Sequence, residues 1–559
     1  MIKPDNMKLK TLLNIPSTKY PAGAILRWLW GAWRGNRLQA VLNALIGIVE
    51  VVLSLAQVWA VKRAIDISSG ATEGSIYWAV ALMAALILSG FACNISGVWV
   101  RNILGIRAQN LMQQQMLDRL LMSRWHSRSR HHSGDILNRL ELDVATVVTF
   151  LTETLPNTLS VLMMFLGAFL CLFSMDRMLA IILVAIIPLF LAVSKIYMGQ
   201  MRRLTRQVRD SDSRVQSVMQ ETIQHRMVIK TLEACGDMVA RLESTQAQLR
   251  RNVMRRTSFS VFSNFILNFG FALGYLIAFL WAAVRMSGGT LTFGGMTAFL
   301  QLVNKIQNPA RNLTKLAPAF VAVFTAAERL MELEEEPLEE QGEPIKVAGP
   351  CGLRLENVSF RYEDGTRDII SNLSFDFRPG SCTAILGETG AGKTTLVRML
   401  LSLMLPQSGS IYIYNDKEQH VLSPRMRCNF VYVPQGNTLM SGTIRDNLLL
   451  GRSSATDAEM CEALRQSCAD FVFALPKGLD SMCGERGGGL SEGQAQRIAI
   501  ARALLRNRHI MVFDEATSAL DSDTECRLLG NLLADNTRTV IFITHRPAVL
   551  EYCTERLTI

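Results

Sequence analysis

Gly387-Glu388-Thr389-Gly390-Ala391-Gly392-Lys393-Thr394-Thr395 has the spacing G-x-x-x-x-G-K-[ST]. Glycines at these positions let a backbone pass close to a triphosphate and turn its N–H groups inward. Lys393 supplies a positive charge on a flexible stem, and the Thr394 hydroxyl is a hard oxygen suited to Mg²⁺. The loop follows an apolar strand-like run, Thr383–Leu386, and precedes a helix-like run, Leu396–Leu400. That context puts the positive end of a helix dipole on the phosphates. A glycine-rich turn with a chance lysine would not have strand, loop and helix in register.

Further candidates sit at the ends of apolar runs. Asp514 and Glu515 close the run Ile510–Phe513. Asp514 can hold Mg²⁺ through water, and Glu515 can polarise an attacking water. His545 follows the run Thr539–Ile543 and can donate to a γ-phosphate. Ser491 and the Gly493 backbone, at a helix start, offer an anion site. Taken singly, an Asp-Glu pair is usually a solvated turn and a lone histidine is usually structural. The phosphate loop upstream makes those readings remote.

These groups must be carried by two kinds of element. The chain has 559 residues, 49% hydrophobic and 19% charged. Long apolar stretches run at Leu38–Ile65, Tyr77–Val100, Val144–Phe173, Met178–Met198, Val261–Val284 and Phe293–Phe324. Each is near or above the ~20 residues that cross a bilayer as a helix. Six spans are therefore expected, followed by a stretch from Leu353 onward that alternates strand-like and helix-like runs, as a parallel α/β sheet does. Glu332–Glu343, interrupted by Pro337, marks the boundary. The expected division is a transmembrane domain over 1–335, a linker over 336–350 and a nucleotide-binding domain over 351–559.

Charge gives the orientation. The short connections Asp66–Ile76, Ser174–Arg177 and Ser287–Thr292 hold almost no Lys or Arg, whereas the long ones, Asn102–Asp143 and Met201–Arg256, are rich in arginine. The rich side is cytoplasmic by the positive-inside rule. The formal net charge of +10 is thus mostly a topology signal. A nucleic-acid partner is not expected, because the basic residues border apolar spans and form no aromatic-studded groove. Met1–Thr18 has no apolar core before a small-residue cleavage site, so no cleavable signal is expected. Ile25–Arg34 reads as an interfacial helix, with tryptophans at headgroup level and Arg27, Arg34 and Arg37 toward lipid phosphates. The 11 cysteines are scattered without C-x-x-C and are expected to be reduced thiols. The long connections read as helical levers with polar breaks at Ser127–Asp135 and around Asp210–Ser217. His126, His131 and His132 cluster at the first tip without the carboxylate or cysteine spacing that would support a metal.

The second half resembles the nucleotide-binding domain of ATP-binding cassette (ABC) proteins, and the whole chain resembles an ABC exporter half-transporter. Leu490-Ser491-Glu492-Gly493-Gln494 is similar to the family signature and Ile510–Glu515 to Walker B. Val433-Pro434-Gln435 is similar to the Q-loop, Ser518–Asp521 to the D-loop, Thr544-His545-Arg546 to the switch histidine, and Gly484–Gly487 to the exporter segment before the signature. All occur in family order. The resemblance implies an exporter-type α-helical transmembrane domain of six spans with an α/β P-loop ATPase domain. It implies ATP and Mg²⁺ as cofactors and Tyr362 as the adenine-stacking aromatic. Gly387–Thr395, Gln435, Ser491, Gly493, Gln494 and Asp521 would line ATP. Thr394, Gln435 and Asp514 would hold Mg²⁺, and Glu515 and His545 would be catalytic.

Two positions depart from the pattern. Glu492 stands where the family commonly has glycine, and the chain ends at Ile559, where the family usually continues through another strand and a helix. The family places ATP between the phosphate loop of one domain and the signature of another. With one of each, this chain is expected to pair; a homodimer suffices and a heterodimer is compatible. The expected activity is ATP-driven export of a lipid, peptide or drug-like cargo across a bacterial-type inner membrane by alternating access. An uptake transporter on the same fold is the alternative, and ATP-driven gating of a partner without flux is a third class; vectorial uptake into oriented vesicles separates them. No peptidase segment precedes the spans, so leader cleavage is not suggested. Glu50 lies in the first span, about 18 Å along a helix from Leu38. A carboxylate at that depth fixes helix packing, meets a polar or cationic part of the cargo, or serves as a proton site.

Overall fold

A computed structural model describes residues 19–33, 37–125, 133–362, 367–388, 390–484 and 489–559, with the helical backbone alone at 183–198 and 310–317. Arg34, His126, His131, His132, Thr389 and most of Gly484–Gly487 lie outside the described residues. The chain divides into two compact units, one of residues 1–117 with 133–334, the other of 118–132 with 335–559.

The first unit is helical: α1 (Ala22–Ala32), α2 (Arg37–Ser68), α3 (Ile76–Met122), α4 (Gly134–Met175), α5 (Arg177–Gln224), α6 (Arg226–Thr231), α7 (Cys235–Ser287) and α8 (Phe293–Glu334). Within α4, two π turns, Arg139–Asp143 and Phe150–Thr154, adjust the helix before Pro156. Among the described residues, Ala40–Ser68, α3, α4 and α7 are long and apolar enough to cross a membrane. Those helices carry four of the six expected spans. The fourth expected span falls in α5 over the stretch described by backbone alone. The sixth falls in α8, whose apolar run is broken by Asn304, Lys305, Gln307 and Asn308 and contains Pro309 and Pro318.

The spans turn large apolar side chains outward, as a lipid solvent requires: Trp99, Phe265 and Leu280 are each about two-thirds exposed. Inside, small residues let backbones approach. A Cβ on Gly47 would collide with the Ser160 hydroxyl, and one on Gly167 would meet Leu55 at 2.5 Å. One core gathers Val58, Leu172, Leu179, Ala278, Ala282, Phe299 and Ile306. A second gathers Ile25 and Leu29 of α1 with Met112, Met116, Val147, Leu151, Phe324 and Leu330. The helix α1 is thus a packed element, pinned by the Trp28 indole donating to Glu334 at 2.6 Å, while Trp30 faces outward under Arg37. Buried Arg139 donates to Asp135 and Glu332, and Arg329 pairs with Asp143 at 3.0 Å.

One expectation is overturned. No break occurs around Asp210–Ser217: α5 runs unbroken to Gln224, and the chain turns at His225 and again at Leu232–Ala234, where Glu233 has φ 55°. The polar residues of 210–217 are helix-compatible and have a partner helix. Ser211 is buried and accepts from Asn252 of α7 at 2.7 Å, and Val215 is buried beside it. Polarity alone is not a break signal when neither Gly nor Pro is present.

In the second unit, Asp118–Arg124 joins the start of the α/β part through Arg124 N–H to Pro337 O and Glu339 N–H to Met122 O, both 2.9 Å. Arg427 then holds Glu339 bidentately at 2.6 and 2.7 Å. Strands β1 (Gly352–Phe360), β2 (Ile370–Phe377), β4 (Ser408–Tyr414) and β5 (Gln419–Val421) form an antiparallel sheet in the order β2-β1-β4-β5. A parallel sheet runs β11-β3-β10-β9-β6, from β3 (Cys382–Leu386), β6 (Phe430–Val433), β9 (Ile510–Asp514), β10 (Thr539–Ile543) and β11 (Glu555–Thr558). A small ribbon pairs β7 (Gly442–Thr443) with β8 (Met482–Cys483). Every residue of β9 and β10 is buried, with Met511, Phe513, Val540 and Phe542 in one core and Ile510, Val512, Ile541 and Ile543 in the other. Covering both faces is what unbroken apolar runs demand of a parallel sheet.

Residues 555–558 form β11, paired to β3 from Glu555↔Thr383 to Thr558↔Leu386. The short run Glu-Arg-Leu-Thr is too polar to announce a strand, and only Leu557 of β11 is buried.

Candidate functional site

Because the sheet is parallel, its carboxyl ends share one edge, where open α/β sheets place their ligands. The register aligns Ile385 with Ile543 and Ile543 with Asp514, and Val433 with Phe513. Gly387, Gln435, Asp514, Glu515 and His545 therefore leave the sheet at one level. The order of their strands across the sheet, not their order in the chain, makes them neighbours.

After β3 the chain turns through Gly390 (φ 90°) and Gly392 (φ 107°), conformations that favour glycine, into α9 (Lys393–Leu400). A Cβ on Gly392 would also meet Ile369 at 2.8 Å. The Lys393 ammonium donates to the Gly387 carbonyl at 2.5 Å and the Glu388 carbonyl at 3.3 Å, and lies 3.0 Å from His545 Nε2. Residues 152 positions apart thus meet at the loop. Thr394 is exposed in the first turn of α9, whereas Thr395 is buried and bonds the Tyr362 hydroxyl at 2.7 Å. Tyr362 stands edge-on to Phe360, so the tyrosine expected to stack on a base is tied by its hydroxyl to the helix behind the loop.

Gln435 donates its amide to the Glu515 carboxylate at 2.5 Å. Glu515 itself has φ 47°, a left-handed conformation that is strained for a residue with a side chain. Its N–H donates to Ile543 O at 2.9 Å, which holds the turn against β10. Strain of this kind persists where surroundings over-determine it, and it collects at functional sites. Asp514 is buried, and burial pushes its carboxyl up from the ordinary value, while the hydrogen bond from the Tyr432 hydroxyl at 3.2 Å pulls the other way. Burial likewise raises the Tyr432 phenol. Tyr432 escaped sequence reasoning; its place three residues before Gln435, facing the same carboxyl edge, was the available signal.

The signature residues form a second cluster. Ser491 caps α10 (Glu492–Arg506): its hydroxyl accepts from Gln494 N–H at 3.2 Å, and the Gln494 side chain accepts from Ser491 N–H at 2.9 Å. This reciprocal capping box explains the Ser-x-x-Gln spacing. Glu492, the departure from the family pattern, is exposed in the first turn, where a negative charge complements the helix dipole. Buried Gln496 accepts from Ala519 N–H at 3.3 Å. Asp521 caps α11 (Ser522–Leu533), accepting from Thr524 N–H at 2.9 Å, and that bond holds its carboxyl below the usual range. Arg546, next to His545, donates to Thr517 O at 2.6 Å and Leu520 O at 2.9 Å and pairs with buried Glu525 at 3.3 Å. The switch histidine and the D-loop are thereby braced together. Among the described residues, the side-chain hydrogen bonds of Ser491 and Gln494 stay within the signature, and none reaches the phosphate loop.

Gly493 has a steric reason. A Cβ there would lie 2.6 Å from the Ala519 carbonyl oxygen, a backbone atom that cannot swing aside. Gly493→Ala is expected to cost about 1–3 kcal/mol of domain stability and to lower ATPase activity by shifting the signature against the D-loop. Thermal unfolding and steady-state ATPase of the purified variant check this; unchanged values for both would refute the close packing.

Two families match the chain: the ABC transporter transmembrane region over residues 41–310 and the ABC transporter family over 370–518. An ATP-dependent lipid A-core flippase of Bordetella avium is 30% identical over 93% of this chain and 88% of its own. A putative multidrug export ATP-binding/permease protein of Bacillus subtilis is 28% identical over 92% of this chain and 91% of its own. The solved structure of a bacterial Atm1-family ABC exporter with ATP bound superposes with a TM-score of 0.76, at 25% identity, covering 94% of this chain and 93% of that one. With its helical membrane domain and α/β nucleotide-binding domain fused in one polypeptide, the chain belongs to the ABC exporters, as a multi-pass half-transporter that couples ATP hydrolysis to export across a membrane.

Proposed function

We propose that the phosphate-loop edge and the signature cluster are two halves of ATP sites completed between two copies of this chain in a bacterial cytoplasmic membrane. The observation that carries this is the separation above: each cluster is internally braced, and among the described residues no hydrogen bond of Ser491 or Gln494 crosses to the phosphate loop. In this reading residues 1–335 form the transmembrane domain, 336–350 the linker and 351–559 the ATPase domain. Gly387–Thr395 and Lys393 hold the phosphates, with Tyr362 near the base and Gln435 at the γ-phosphate. Ser491, Gly493 and Gln494, with Asp521, approach from the partner copy. Both halves are intact here, so a homodimer is sufficient. Turnover of a mixed dimer, one copy carrying Lys393→Ala and the other Ser491→Ala, tests it, because that dimer retains one complete site. Activity matching a non-dimerising monomer would reject the shared site.

Mg²⁺ fits the donors present. Among the described residues no cluster of three His, Cys, Asp or Glu is placed to hold a metal, whereas Thr394, Gln435 and Asp514 bring isolated hard oxygens to one edge. Mg²⁺ prefers few protein ligands and keeps its waters. When bound, it would neutralise charge on the phosphates. Glu515 orients and deprotonates the attacking water, His545 donates to the γ-phosphate, and Lys393 balances its charge.

For the cargo we propose an amphipathic lipid. Within the expected spans, Glu50 accepts from Asn94 at 3.3 Å, and Lys305 donates to Ser54, one turn along from Glu50. Such a seam suits a polar headgroup while the apolar flanks suit chains. The relative from Bordetella avium is named for a lipid substrate, which agrees with this reading. ATP-dependent movement of a fluorescent lipid between leaflets of proteoliposomes is the test, and ATP turnover without lipid movement would reject it. Glu50→Gln should leave folding and basal ATPase intact but change stimulation by lipid or its pH dependence. Identical transport across pH by Glu50→Gln, with a lower unfolding temperature for Glu50→Leu, would assign Glu50 to packing alone.

A further inference from the structure

We propose that Cys382 and Cys553 form a reversible disulfide that ties the edge strand β11 to the strand carrying the phosphate loop. Their sulfurs lie 3.2 Å apart, although the residues are 171 positions apart in sequence. The backbone fixes this approach. Thr554 N–H and its hydroxyl both donate to the Cys382 carbonyl, at 2.9 and 3.1 Å, and the next residues, Glu555 and Thr383, are paired in the sheet. A covalent separation of about 2.05 Å is roughly 1 Å shorter than the distance at which the sulfurs stand here.

The two thiols differ in the way an exchange reaction needs. Cys553 is half-buried; the Cys382 thiol beside it, which can donate to it, and then nearby Arg556 lower its pKa from the ordinary value. Cys382 is buried and its thiol is pushed up, first by that same hydrogen bond and then by burial. Cys351, by contrast, is buried with its pKa pushed up to about 12 and is inert. Cys553 is therefore the attacking sulfur and Cys382 the resolving one.

The reaction takes a small disulfide, R–S–S–R, as oxidant. The Cys553 thiolate attacks one sulfur and expels RS⁻, leaving a mixed disulfide on Cys553. Cys382 then loses its proton to the expelled thiolate, attacks Cys553 Sγ and expels the second RS⁻. Two cysteine thiols are oxidised by two electrons, and the reagent is reduced to two thiols. Exported proteins carry permanent disulfides, but in a reducing cytoplasm such a pair cycles with redox state. The position matters because β11 follows β3 to its end, where Ile559 N–H donates to Leu386 O at 3.0 Å, immediately before Gly387. The bond would anchor the start of that edge strand.

The test treats the full chain in nanodiscs with bis(2-hydroxyethyl) disulfide, blocks remaining thiols by alkylation and maps cysteine peptides by mass. The expected result is a Cys382–Cys553 linked peptide, reversed by dithiothreitol, with an unfolding midpoint raised by a few degrees. In Cys382→Ser, Cys553 should retain the hydroxyethyl adduct. Should that variant fail to fold, Cys553→Ser should leave Cys382 unmodified. A wild-type protein in which Cys553 stops at the adduct, or in which both cysteines stay open to alkylation, overturns the proposal.

Discussion

Glu515→Gln is expected to lower ATP turnover by about 10²–10⁴-fold, the usual worth of a positioned general base, while ATP binding persists. Glutamine keeps the size of the side chain and an acceptor oxygen for the Gln435 amide, which donates to Glu515 at 2.5 Å. It removes only the negative charge that draws a proton from water. The left-handed turn at φ 47° and the bond from Glu515 N–H to Ile543 O belong to the backbone and survive the change. Binding should therefore be retained, and the variant should accumulate as a closed dimer with ATP held. Single-turnover hydrolysis with labelled ATP, alongside equilibrium binding, measures both. Near wild-type turnover would remove Glu515 from the base role. Lost binding together with lost turnover would indicate instead that the strained turn had collapsed.

Much of this site is legible in the sequence because its parts are local. A phosphate loop, a helix start at Ser491 and a carboxylate at a strand end each declare themselves within a few residues. Their meeting is also foreseeable, since parallel strands must present their carboxyl ends on one edge. What the sequence hides is any contact made by side chains from distant strands. Tyr432 reads as one more apolar β residue until its hydroxyl reaches Asp514, and Arg546 reads as a neighbour of His545 until it grips Thr517, Leu520 and Glu525. Asp521, expected to line ATP, is first of all the cap of α11. The second lever break was misplaced for a related reason. Polar residues of 210–217 look like a turn in isolation, but Ser211 and Val215 are buried against the partner helix α7. The sixth span reads as a hydrophobic stretch, and nothing local pairs Lys305 in its middle with a partner. That partner, the Ser54 hydroxyl, lies on another helix one turn along from Glu50.

Lys393→Ala is expected to weaken ATP binding by about 10- to 100-fold, because hydrogen bonds to a charged group contribute roughly 1.5–3 kcal/mol. The ammonium stands where two loops converge: the one after β3, through the Gly387 and Glu388 carbonyls, and the one after β10, through the His545 ring. It thus has two roles that the variant removes together. One is electrostatic, a cation facing the most negative part of the nucleotide. The other is structural, because the same ammonium draws in the loop carbonyls that would otherwise compete for the space. The two roles separate by measurement. If charge dominates, Lys393→Ala keeps the unfolding temperature of the nucleotide-free protein but loses most of the stabilisation that added ATP confers. If the loop carbonyls dominate, the nucleotide-free protein is itself destabilised, and Lys393→Arg fails to restore it. The Gly387 and Glu388 carbonyls are neutral groups that water could replace, so the electrostatic outcome is expected. Unchanged ATP affinity in Lys393→Ala would mean that the loop does not carry the phosphates, and with it the nucleotide site at this sheet edge would have to be abandoned.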